Sequence, residues 1–261
     1  MSPAGKLTGK VCVVTGSSGM AADAARAFAA EGGDVVVIGI DKAQCIDIGL
    51  PYEVADLRDE QQTQAAFARV RERHTRVDAT YCVAGGSGRS LGDGPAHEVS
   101  LAAWEATLAM NLTTAFLAAR ESVRTMLAQP RAGNGARGAI VLMSSVLAFD
   151  PAPTLFATHA YAAAKAAEIG LVRAMAGSYA AHGIRVNALA PALVNTPMAA
   201  RAAADPATVA FAHAKQSLVG GFLDPAAVTA AGLFLCSDDS AAMTGQVLTV
   251  DGGWTVQGGS R

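Results

Sequence analysis

The amino-acid sequence predicts an α/β fold in one domain, with a doubly wound parallel sheet of about seven strands and helices on both faces. Short β-branched runs alternate with longer alanine-rich segments of helical period, which is typical of repeated βαβ units. The runs are apolar nearly throughout, as expected for strands that helices cover on both faces. A chain of 261 residues, 51% of them hydrophobic, is long and apolar enough to bury such a core.

The alternation assigns each element in turn. The predicted strands are Val11–Thr15, Val35–Ile40, Val54 with its flanks, Val77–Val83, Gly138–Met143, Ile184–Leu189 and Gln246–Val250. The predicted helices are Ala21–Ala30, Glu60–His74, Leu101–Ala128, Tyr161–His182 and Pro225–Cys236, with Asp59 and Ser100 as N-caps of two of them. Residues 1–261 are expected to form a single domain. Within it, residues 198–223, here called the lobe, are expected to form one or two amphipathic helices that cover the site.

Charge and cysteine patterns argue against several classes of protein. The formal net charge is −2 without a long like-charge run, so nucleic acid is not an expected partner. The four cysteines and five histidines show no metal-binding spacing, so neither a metal site nor a disulfide framework is expected. Neither an apolar signal core nor a stretch of bilayer-spanning length occurs, so we expect a cytoplasmic protein without membrane contact.

The first predicted strand leads directly into a glycine-bearing turn, TGSSGMA at Thr15–Ala21, and then into a helix. Such a turn lets the backbone approach a pyrophosphate, which the N–H groups at the helix N-terminus can bind. The sequence therefore predicts a dinucleotide site, and a tight strand-to-helix turn without a ligand is the alternative. The candidate phosphate-binding residues are Gly16, Ser17, Ser18, Gly19 and Met20.

Asp41 ends the second predicted strand, where an acidic residue would take the adenosine ribose hydroxyls. The alternative is that Asp41 only caps the turn that follows. The glycine turn contains no arginine or lysine, and Lys42 is the one cation that directly follows the strand. A 2′-phosphate would require a fixed cation, so NAD is favoured as the cofactor, with NADP left open.

Tyr161 and Lys165 are four residues apart in a helical stretch, so both project from one face. An ammonium beside a phenol stabilises the phenolate, which makes tyrosine usable as an acid or base near neutral pH. The alternative is an ordinary helix pair with an exposed lysine. His159, two residues earlier, is expected either to face the site or to make a loop hydrogen bond.

Two further polar residues fall at positions that favour a site. Ser145 closes the fifth predicted strand, at the edge where open α/β sheets bind ligands, although a serine there can also simply form a turn. Asn111 interrupts an apolar helix, and a buried asparagine needs hydrogen-bond partners that a functional water network could supply. No Gly-x-Ser-x-Gly elbow accompanies the serine, which argues against a hydrolase.

Several further motifs follow one another along the chain. Asp56-Leu57 resembles an acidic–aliphatic pair that contacts adenine, CVAG at 82–85 resembles Asn-Asn-Ala-Gly, PALVNT at 191–196 resembles Pro-Gly-x-x-x-Thr, and Val250-Asp251-Gly252-Gly253 resembles a C-terminal strand ending. Together with the glycine turn, and with Asn111, Ser145, Tyr161 and Lys165 in the order of a catalytic tetrad, these motifs resemble the short-chain dehydrogenase/reductase family in its compact branch. The resemblance extends from Leu7 to Trp254.

The resemblance implies a Rossmann-like fold and an NAD(P)-dependent oxidoreductase that interconverts a secondary alcohol and a ketone. Tyr161 would exchange the proton with the substrate oxygen, and Lys165 would support Tyr161 and bind the nicotinamide ribose. Ser145 would hydrogen-bond the reacting oxygen, and Asn111 would fix a water that relays protons. Further cofactor contacts would come from Asp56, Leu57, Ala84, Gly85, Pro191, Val194 and Thr196. The resemblance also implies a homotetramer built through the long helices that follow the fourth and fifth strands.

The chain departs from the family pattern at several places. The glycine turn is one residue shorter, and Ala21 occupies its third glycine position. Gly39, not Asp41, aligns with the ribose-binding acid. Val83 replaces an asparagine, and Ala192 replaces the glycine after Pro191. The turn and Ala192 keep a second hypothesis open, a dinucleotide-binding sensor or scaffold with little catalysis.

The segment between Ser145 and Tyr161 is about three residues longer than in the family, and extra loop length often marks a binding function. Its apolar residues and those of the lobe predict an apolar rim over the substrate. A cyclic, steroid-like or terpenoid alcohol fits that rim, and sugars and acyl thioesters stay open. The candidate substrate residues are Leu147, Phe156, His159, Leu193 and Met198.

Overall fold

A computed structural model describes residues 5–257 and places seven parallel strands in one sheet. In chain order the strands are β1 (Val11–Thr15), β2 (Asp34–Gly39), β3 (Tyr52–Val54), β4 (Ala79–Cys82), β5 (Gly138–Met143), β6 (Ile184–Pro191) and β7 (Val247–Val250). Across the sheet the order is β3-β2-β1-β4-β5-β6-β7, so the winding reverses between β1 and β4. The predicted doubly wound α/β sheet is confirmed.

Helices cover both faces of this sheet. They are α1 (Gly19–Ala30), α2 (Lys42–Ile48), α3 (Glu60–Arg73), α4 (Leu101–Leu108), α5 (Thr114–Ala128), α6 (His159–Tyr179), α7 (Ala200–Ala203), α8 (Pro206–Lys215) and α9 (Pro225–Cys236). Apolar residues of α3, α5 and α6 form the core of one face, and those of α1, α2 and α9 form the core of the other.

The two cores explain why the strands are apolar without alternation. Successive strand residues point to opposite faces, so Val13 contributes to one core while Cys12 and Val14 contribute to the other. In β5, Ile140 and Val141 divide in the same way. Both faces are therefore withdrawn from water, as the uninterrupted apolar runs predicted.

Several predicted boundaries are confirmed, most others shift by one to three residues, and two helical segments differ in kind. The Asp59 carboxylate accepts a hydrogen bond from Gln62 N and the Ser100 hydroxyl accepts one from Ala103 N, so both predicted N-caps are present. Helix α2 was not predicted. The predicted helix over 101–128 is interrupted by a π-helical turn at Ala109–Thr113, and the predicted helix over 161–182 begins two residues earlier, at His159.

The lobe contains α7 and α8, the second of which is capped by Asp205. Gln216, which is completely buried, fastens the lobe to the segment after β6. Its amide oxygen accepts a hydrogen bond from Leu193 N at 2.8 Å, and its amide nitrogen donates to Leu193 O at 3.0 Å. An isolated bridge between Val194 and Leu223 adds a second connection. The lobe therefore packs against the sheet edge within the same domain.

Tyr81, on β4, is completely buried against α9 where that helix carries Gly232. A methyl group built on Gly232 would lie 2.8 Å from the ring carbons of Tyr81. We expect Gly232→Ala to lower the free energy of unfolding by about 1–3 kcal/mol, because this overlap outweighs the higher helix propensity of alanine. Urea unfolding measures the change.

Gly133→Ala is the control for that variant. Gly133 lies in a loop with no atom within 4 Å of an added methyl group. Its replacement should leave the free energy of unfolding unchanged or raise it by up to about 1 kcal/mol. Equal stability of the two variants would contradict the tight packing between β4 and α9.

Candidate active site

A groove runs along the carboxyl ends of the strands, across the point where the winding of the sheet reverses. Open α/β sheets bind their ligands at this point. The groove has two connected parts, the turn cleft beside Gly16–Met20 and the tyrosine pocket beside Tyr161. Residues that line both parts are Met20, Val83, Gly85, Thr196 and Met198.

The glycine turn, although one residue shorter than in the family, joins β1 to α1 as the sequence predicted. Gly16 and Gly19 have φ angles of 98° and 52°, in the left-handed region that favours glycine. Ala21 is buried, and a methyl group on Gly16 would lie 3.0 Å from its Cβ. The missing side chain at Gly16 therefore makes room for the alanine that replaces the third glycine.

This turn fits a dinucleotide pyrophosphate. Helix α1 begins at Gly19, and its N-cap Ser18 makes no side-chain capping bond. The backbone N–H groups of the first turn are thus not taken up by a capping side chain, and the helix dipole favours an anion there. All five predicted phosphate-binding residues line the turn cleft.

The far end of the turn cleft differs from the sequence-based expectation. Asp41 is exposed and does not line the cleft, because its Oδ1 caps α2 by accepting hydrogen bonds from Ala43 N and Gln44 N at 2.8 and 3.1 Å. The capping alternative therefore describes its position. Gln44 lines the cleft instead and accepts a hydrogen bond from the Ser17 hydroxyl at 3.0 Å.

Gly39 has no room for the acidic side chain that a simple alignment would place there. A methyl group at Gly39 would lie 2.7 Å from both Cys45 Sγ and Ser17 Cβ. Asp56 and Leu57 line the cleft as predicted, and the Arg58 guanidinium binds the Asp56 carboxylate at 2.6 Å. That ion pair lowers the pKa of Asp56.

Thr15 links the ends of β1 and β4 next to Val83, which stands where the family has an asparagine. Its hydroxyl oxygen accepts hydrogen bonds from Val83 N at 3.1 Å and Ala84 N at 3.2 Å. The ends of β1 and β4 are thereby held together beneath the groove. Ala84 and Gly85 line the turn cleft, so these bonds also position part of the predicted cofactor surface.

The four residues of the predicted tetrad come together in the tyrosine pocket. Lys165 Nζ lies 5.7 Å from the centre of the Tyr161 ring. Ser145 caps a short 3-10 turn, with its oxygen accepting a hydrogen bond from Leu147 N at 3.2 Å, which leaves its hydroxyl proton available to another acceptor. The geometry thus presents the Tyr161 phenol and the Ser145 hydroxyl to one cavity.

Asn111 lies within the π-helical turn and is completely buried. Its amide oxygen accepts a hydrogen bond from Gly86 N at 3.1 Å, and its amide nitrogen donates to Gly86 O and Thr107 O, both at 3.0 Å. Backbone groups therefore meet the hydrogen-bonding requirement that a water network was expected to meet. The side chain fixes the loop after β4, and its role toward a relay water stays a prediction.

Lys165 is buried, so the alternative of an exposed lysine is wrong. Its ammonium donates to Met143 O at 2.6 Å and to Glu168 Oε1 at 2.9 Å. Burial alone would lower the pKa of Lys165, but the Glu168 carboxylate and the Tyr161 phenolate outweigh burial and raise it. The lysine therefore remains a cation beside Tyr161.

Asp93 and Glu168 hold the segment around Tyr161 and Lys165 in place, and neither was predicted from the sequence. The Asp93 carboxylate is buried and accepts hydrogen bonds from Ala160 N at 3.0 Å and Tyr161 N at 2.9 Å, so it caps the helix that carries the tyrosine. Glu168 follows Lys165 by three residues on the same helix face, a spacing that could have identified it. Burial raises the pKa of Glu168, and Lys165 opposes that shift.

The predicted substrate residues divide between the pocket and its surroundings. Leu147, Phe156, Leu193 and Met198 line the tyrosine pocket, as do the predicted cofactor residues Pro191, Val194 and Thr196. His159 does not line it, because its Nδ1 accepts a hydrogen bond from Ala96 N at 2.9 Å and its side chain lies at the surface. The loop alternative describes His159.

The wall of the pocket is built from aromatic and cationic side chains. Phe156 and Trp254 contact Phe211 of the lobe, with the Phe211 and Trp254 rings 4.9 Å apart in an edge-to-face arrangement. Arg89, from the loop after β4, and Arg201, from α7, also line this pocket. Neither arginine was predicted from the sequence. The pocket is therefore apolar in its wall but carries positive charge.

Residues 5–257 contain no candidate metal site. No three histidine, cysteine, aspartate or glutamate side chains there lie close enough together to hold a metal ion. None of the helices in that range has the length and apolarity to cross a bilayer. The four cysteines are buried and unbridged.

Because Lys165 and Glu168 form a buried ion pair, removal of one charge should destabilise the protein more than removal of both. We expect Glu168→Leu to lower the free energy of unfolding by about 3–5 kcal/mol, because it leaves a buried ammonium without its carboxylate. The double variant Lys165→Met/Glu168→Leu should recover most of that loss, since two apolar side chains of similar volume replace both charges. Urea unfolding of both variants measures the effect, and a stable Glu168→Leu variant would contradict it.

Comparisons with known proteins agree with this geometry. A family model described as enoyl-(acyl carrier protein) reductase matches residues 14–255. Short-chain dehydrogenase reductase 5 of Arabidopsis thaliana is 34% identical over 260 residues, which cover 96% of each chain. The cis-4-hydroxycyclohexanecarboxylate dehydrogenase of Sinomonas cyclohexanicum is 35% identical over 256 residues, covering 94% of this chain and 96% of that protein.

A solved structure shows the same likeness. A protein of Beutenbergia cavernae, assigned as an NAD(P)-dependent gluconate 5-dehydrogenase and holding NADP at low occupancy, superposes with a TM-score of 0.83. It is 35% identical, and the match covers 96% of this chain and 98% of that one. With its sheet order, its glycine turn and a family match over nearly its whole length, the chain belongs to the short-chain dehydrogenase/reductase family of oxidoreductases.

Proposed function

We propose that the protein interconverts a secondary alcohol and a ketone by NAD(P)-linked hydride transfer, with Tyr161 as the acid–base residue. The observation that carries the proposal is that Tyr161, beside the buried Lys165, lines the same pocket as Ser145, and that this pocket is continuous with the glycine-turn cleft. The dehydrogenases among the similar proteins support the same reaction class.

The bound nicotinamide would supply or accept the hydride. Tyr161 would take the proton of the alcohol during oxidation and return a proton to the ketone oxygen during reduction. The Lys165 ammonium lies 5.7 Å from the centre of the Tyr161 ring, where its positive charge would stabilise negative charge that develops on the phenol oxygen during proton transfer. The Ser145 hydroxyl would donate to the reacting oxygen and fix it against Tyr161.

We favour NAD as the cofactor, with NADP as the open alternative. The cation that lines the far end of the turn cleft is Arg58, and its guanidinium is paired with Asp56. A 2′-phosphate would have to compete with that carboxylate for the arginine. Ser17 and Gln44 offer uncharged hydrogen-bonding groups instead, which suit ribose hydroxyls.

A homotetramer is proposed by analogy with the family. Along α4 and α5, Leu101, Trp104, Phe116 and Leu127 are exposed apolar side chains, with Leu101 at 70% exposure. Large apolar side chains exposed along one helical segment support burial against another subunit.

Tyr161→Phe tests the reaction. We expect kcat to fall by a factor of about 10²–10⁴, because the variant keeps the ring but loses the proton carrier. NADH binding, followed by fluorescence titration, should be nearly unchanged. Tyr179→Phe, at the far end of the same helix, is the matched control and should keep wild-type kcat.

Two outcomes would contradict the proposal. Wild-type turnover by Tyr161→Phe would remove the tyrosine from the mechanism. Binding of NADH by the wild-type protein without turnover across a broad alcohol and ketone panel would favour the sensor or scaffold hypothesis instead.

Asp41→Asn tests the adenosine end of the cleft. Asparagine caps a helix about as well as aspartate, so we expect KM for NAD to stay within about twofold of the wild-type value. Steady-state kinetics with NAD and with NADP measure both cofactors. A rise of about tenfold in KM for NAD, equivalent to about 1.4 kcal/mol, would instead indicate that the Asp41 charge contacts the ribose.

A further inference from the structure

The tyrosine pocket has an unbalanced charge. Its charged lining residues are Arg89, Lys165 and Arg201, and no aspartate or glutamate lines it within residues 5–257. Lys165 is neutralised by Glu168, which lies behind the pocket. Neither Arg89 nor Arg201 has a carboxylate within 4 Å in the described part of the chain. Two guanidinium groups therefore contribute positive charge that no direct ion pair neutralises.

The nearby carboxylates have other partners. Asp93 uses both oxygens to cap the tyrosine-bearing helix, and Asp205 caps α8 through Thr208. The negative charge of Asp93 acts to raise the pKa of Arg89, and the positive charge of Arg201 acts to lower the pKa of Asp205. Neither carboxylate forms an ion pair with either arginine. The arginines consequently keep donors that a ligand can use.

Arg89 is the better fixed of the two arginines. Its Nη2 donates to Leu155 O at 2.8 Å, which anchors the guanidinium to the long segment between Ser145 and Tyr161. Burial lowers the pKa of the half-buried Arg89, and the positive charge of the exposed Arg201 lowers it further, so the two cations repel each other. A bound anion would remove that repulsion.

The remainder of the pocket indicates the body of the ligand. Leu147, Phe156, Leu193 and Trp254 belong to one apolar cluster and line the same pocket as the two arginines, Tyr161 and Ser145. A planar carboxylate suits the two-pronged donor geometry of arginine, and an apolar ring suits the wall.

We propose that the substrate is a hydroxy acid with an apolar body, whose carboxylate binds Arg89 and Arg201 while its hydroxyl reaches Tyr161 and Ser145. The inference rests on the proposed function and names its substrate class. In the oxidative direction the carbinol C–H leaves as hydride to the oxidised nicotinamide, and the hydroxyl proton passes to Tyr161. A ketone forms, and the carboxylate is chemically unchanged.

Binding of compounds that cannot react tests the carboxylate site directly. Cyclohexanecarboxylate and cyclohexanecarboxamide are titrated by calorimetry into the full chain saturated with NAD⁺, and again into the chain alone. We expect the acid to bind at least about tenfold more tightly than the amide, because charge-assisted hydrogen bonds are stronger than neutral ones. This preference should weaken as salt is added.

Three variants define which arginines are responsible. Arg89→Gln and Arg201→Gln should each reduce the preference for the acid, and the double variant should abolish it while amide binding stays unchanged. Arg173→Gln, an exposed arginine on α6 outside the pocket, is the matched control and should keep the preference. Equal binding of acid and amide to the wild-type protein, or a preserved preference in the double variant, would overturn the carboxylate site.

Turnover separates the carboxylate site from the reaction itself. A 4-hydroxycyclohexanecarboxylate and its methyl ester are compared as substrates, and we expect the acid to have the higher kcat/KM by about tenfold or more. Oxidation of the ester as efficiently as the acid would overturn the carboxylate site and leave the oxidoreductase proposal standing. Selective binding of the acid without turnover of any alcohol would support the site and overturn the reaction.

Discussion

One buried ammonium group determines how the active-site side of the molecule is arranged. Lys165 is only 4% exposed, and a cation removed from water requires close partners of opposite charge or dipole. It finds them in Glu168 on its own helix and in the carbonyl of Met143 at the end of β5. The need to satisfy that charge therefore fixes α6 against the carboxyl end of a central strand.

Neighbouring hydrogen bonds also hold the segments that carry Ser145 and Tyr161. Ser144 donates to Lys165 O at 2.8 Å, so two successive residues of the strand end hold the same helical turn. Ser145 follows directly, and Tyr161 lies one turn earlier on the helix. Asp93 closes the arrangement by capping the first turn of α6 from the loop after β4. The segments that carry the serine and the tyrosine are thus held by this network, without a hydrogen bond between the two side chains.

The sequence was informative where the signal is local. Apolar runs and glycine turns report burial and backbone geometry within a few residues, so β1 and β5 were predicted with their observed bounds. The tetrad was predicted because its members occur in a fixed order. Helix α2 was not predicted because the short segment KAQCIDI shows no clear apolar period. Asp41, which caps this helix, was therefore interpreted first as a ligand-binding residue and only second as a cap.

Contacts between distant segments were not predictable from local patterns. Asp93 and Tyr161 are 68 residues apart, and only the folded chain shows that a carboxylate in a glycine-flanked loop meets two backbone N–H groups. The two pocket arginines are 112 positions apart, on a loop and on the lobe. The π-helical turn at Asn111 likewise depends on the loop that its side chain holds.

The groove as a whole is electrostatically divided, and that division follows from which charges have partners. In the turn cleft Arg58 and Asp56 neutralise each other, so the cleft offers mainly hydrogen bonds and the dipole of α1. At the other end Lys165 is neutralised from behind, whereas Arg89 and Arg201 are not. In the proposed mechanism the lysine charge would act on Tyr161 and the arginine charge would act on the ligand. Because these two cationic functions have separate partners, the substrate preference of the pocket would be able to change without loss of the proposed acid–base chemistry.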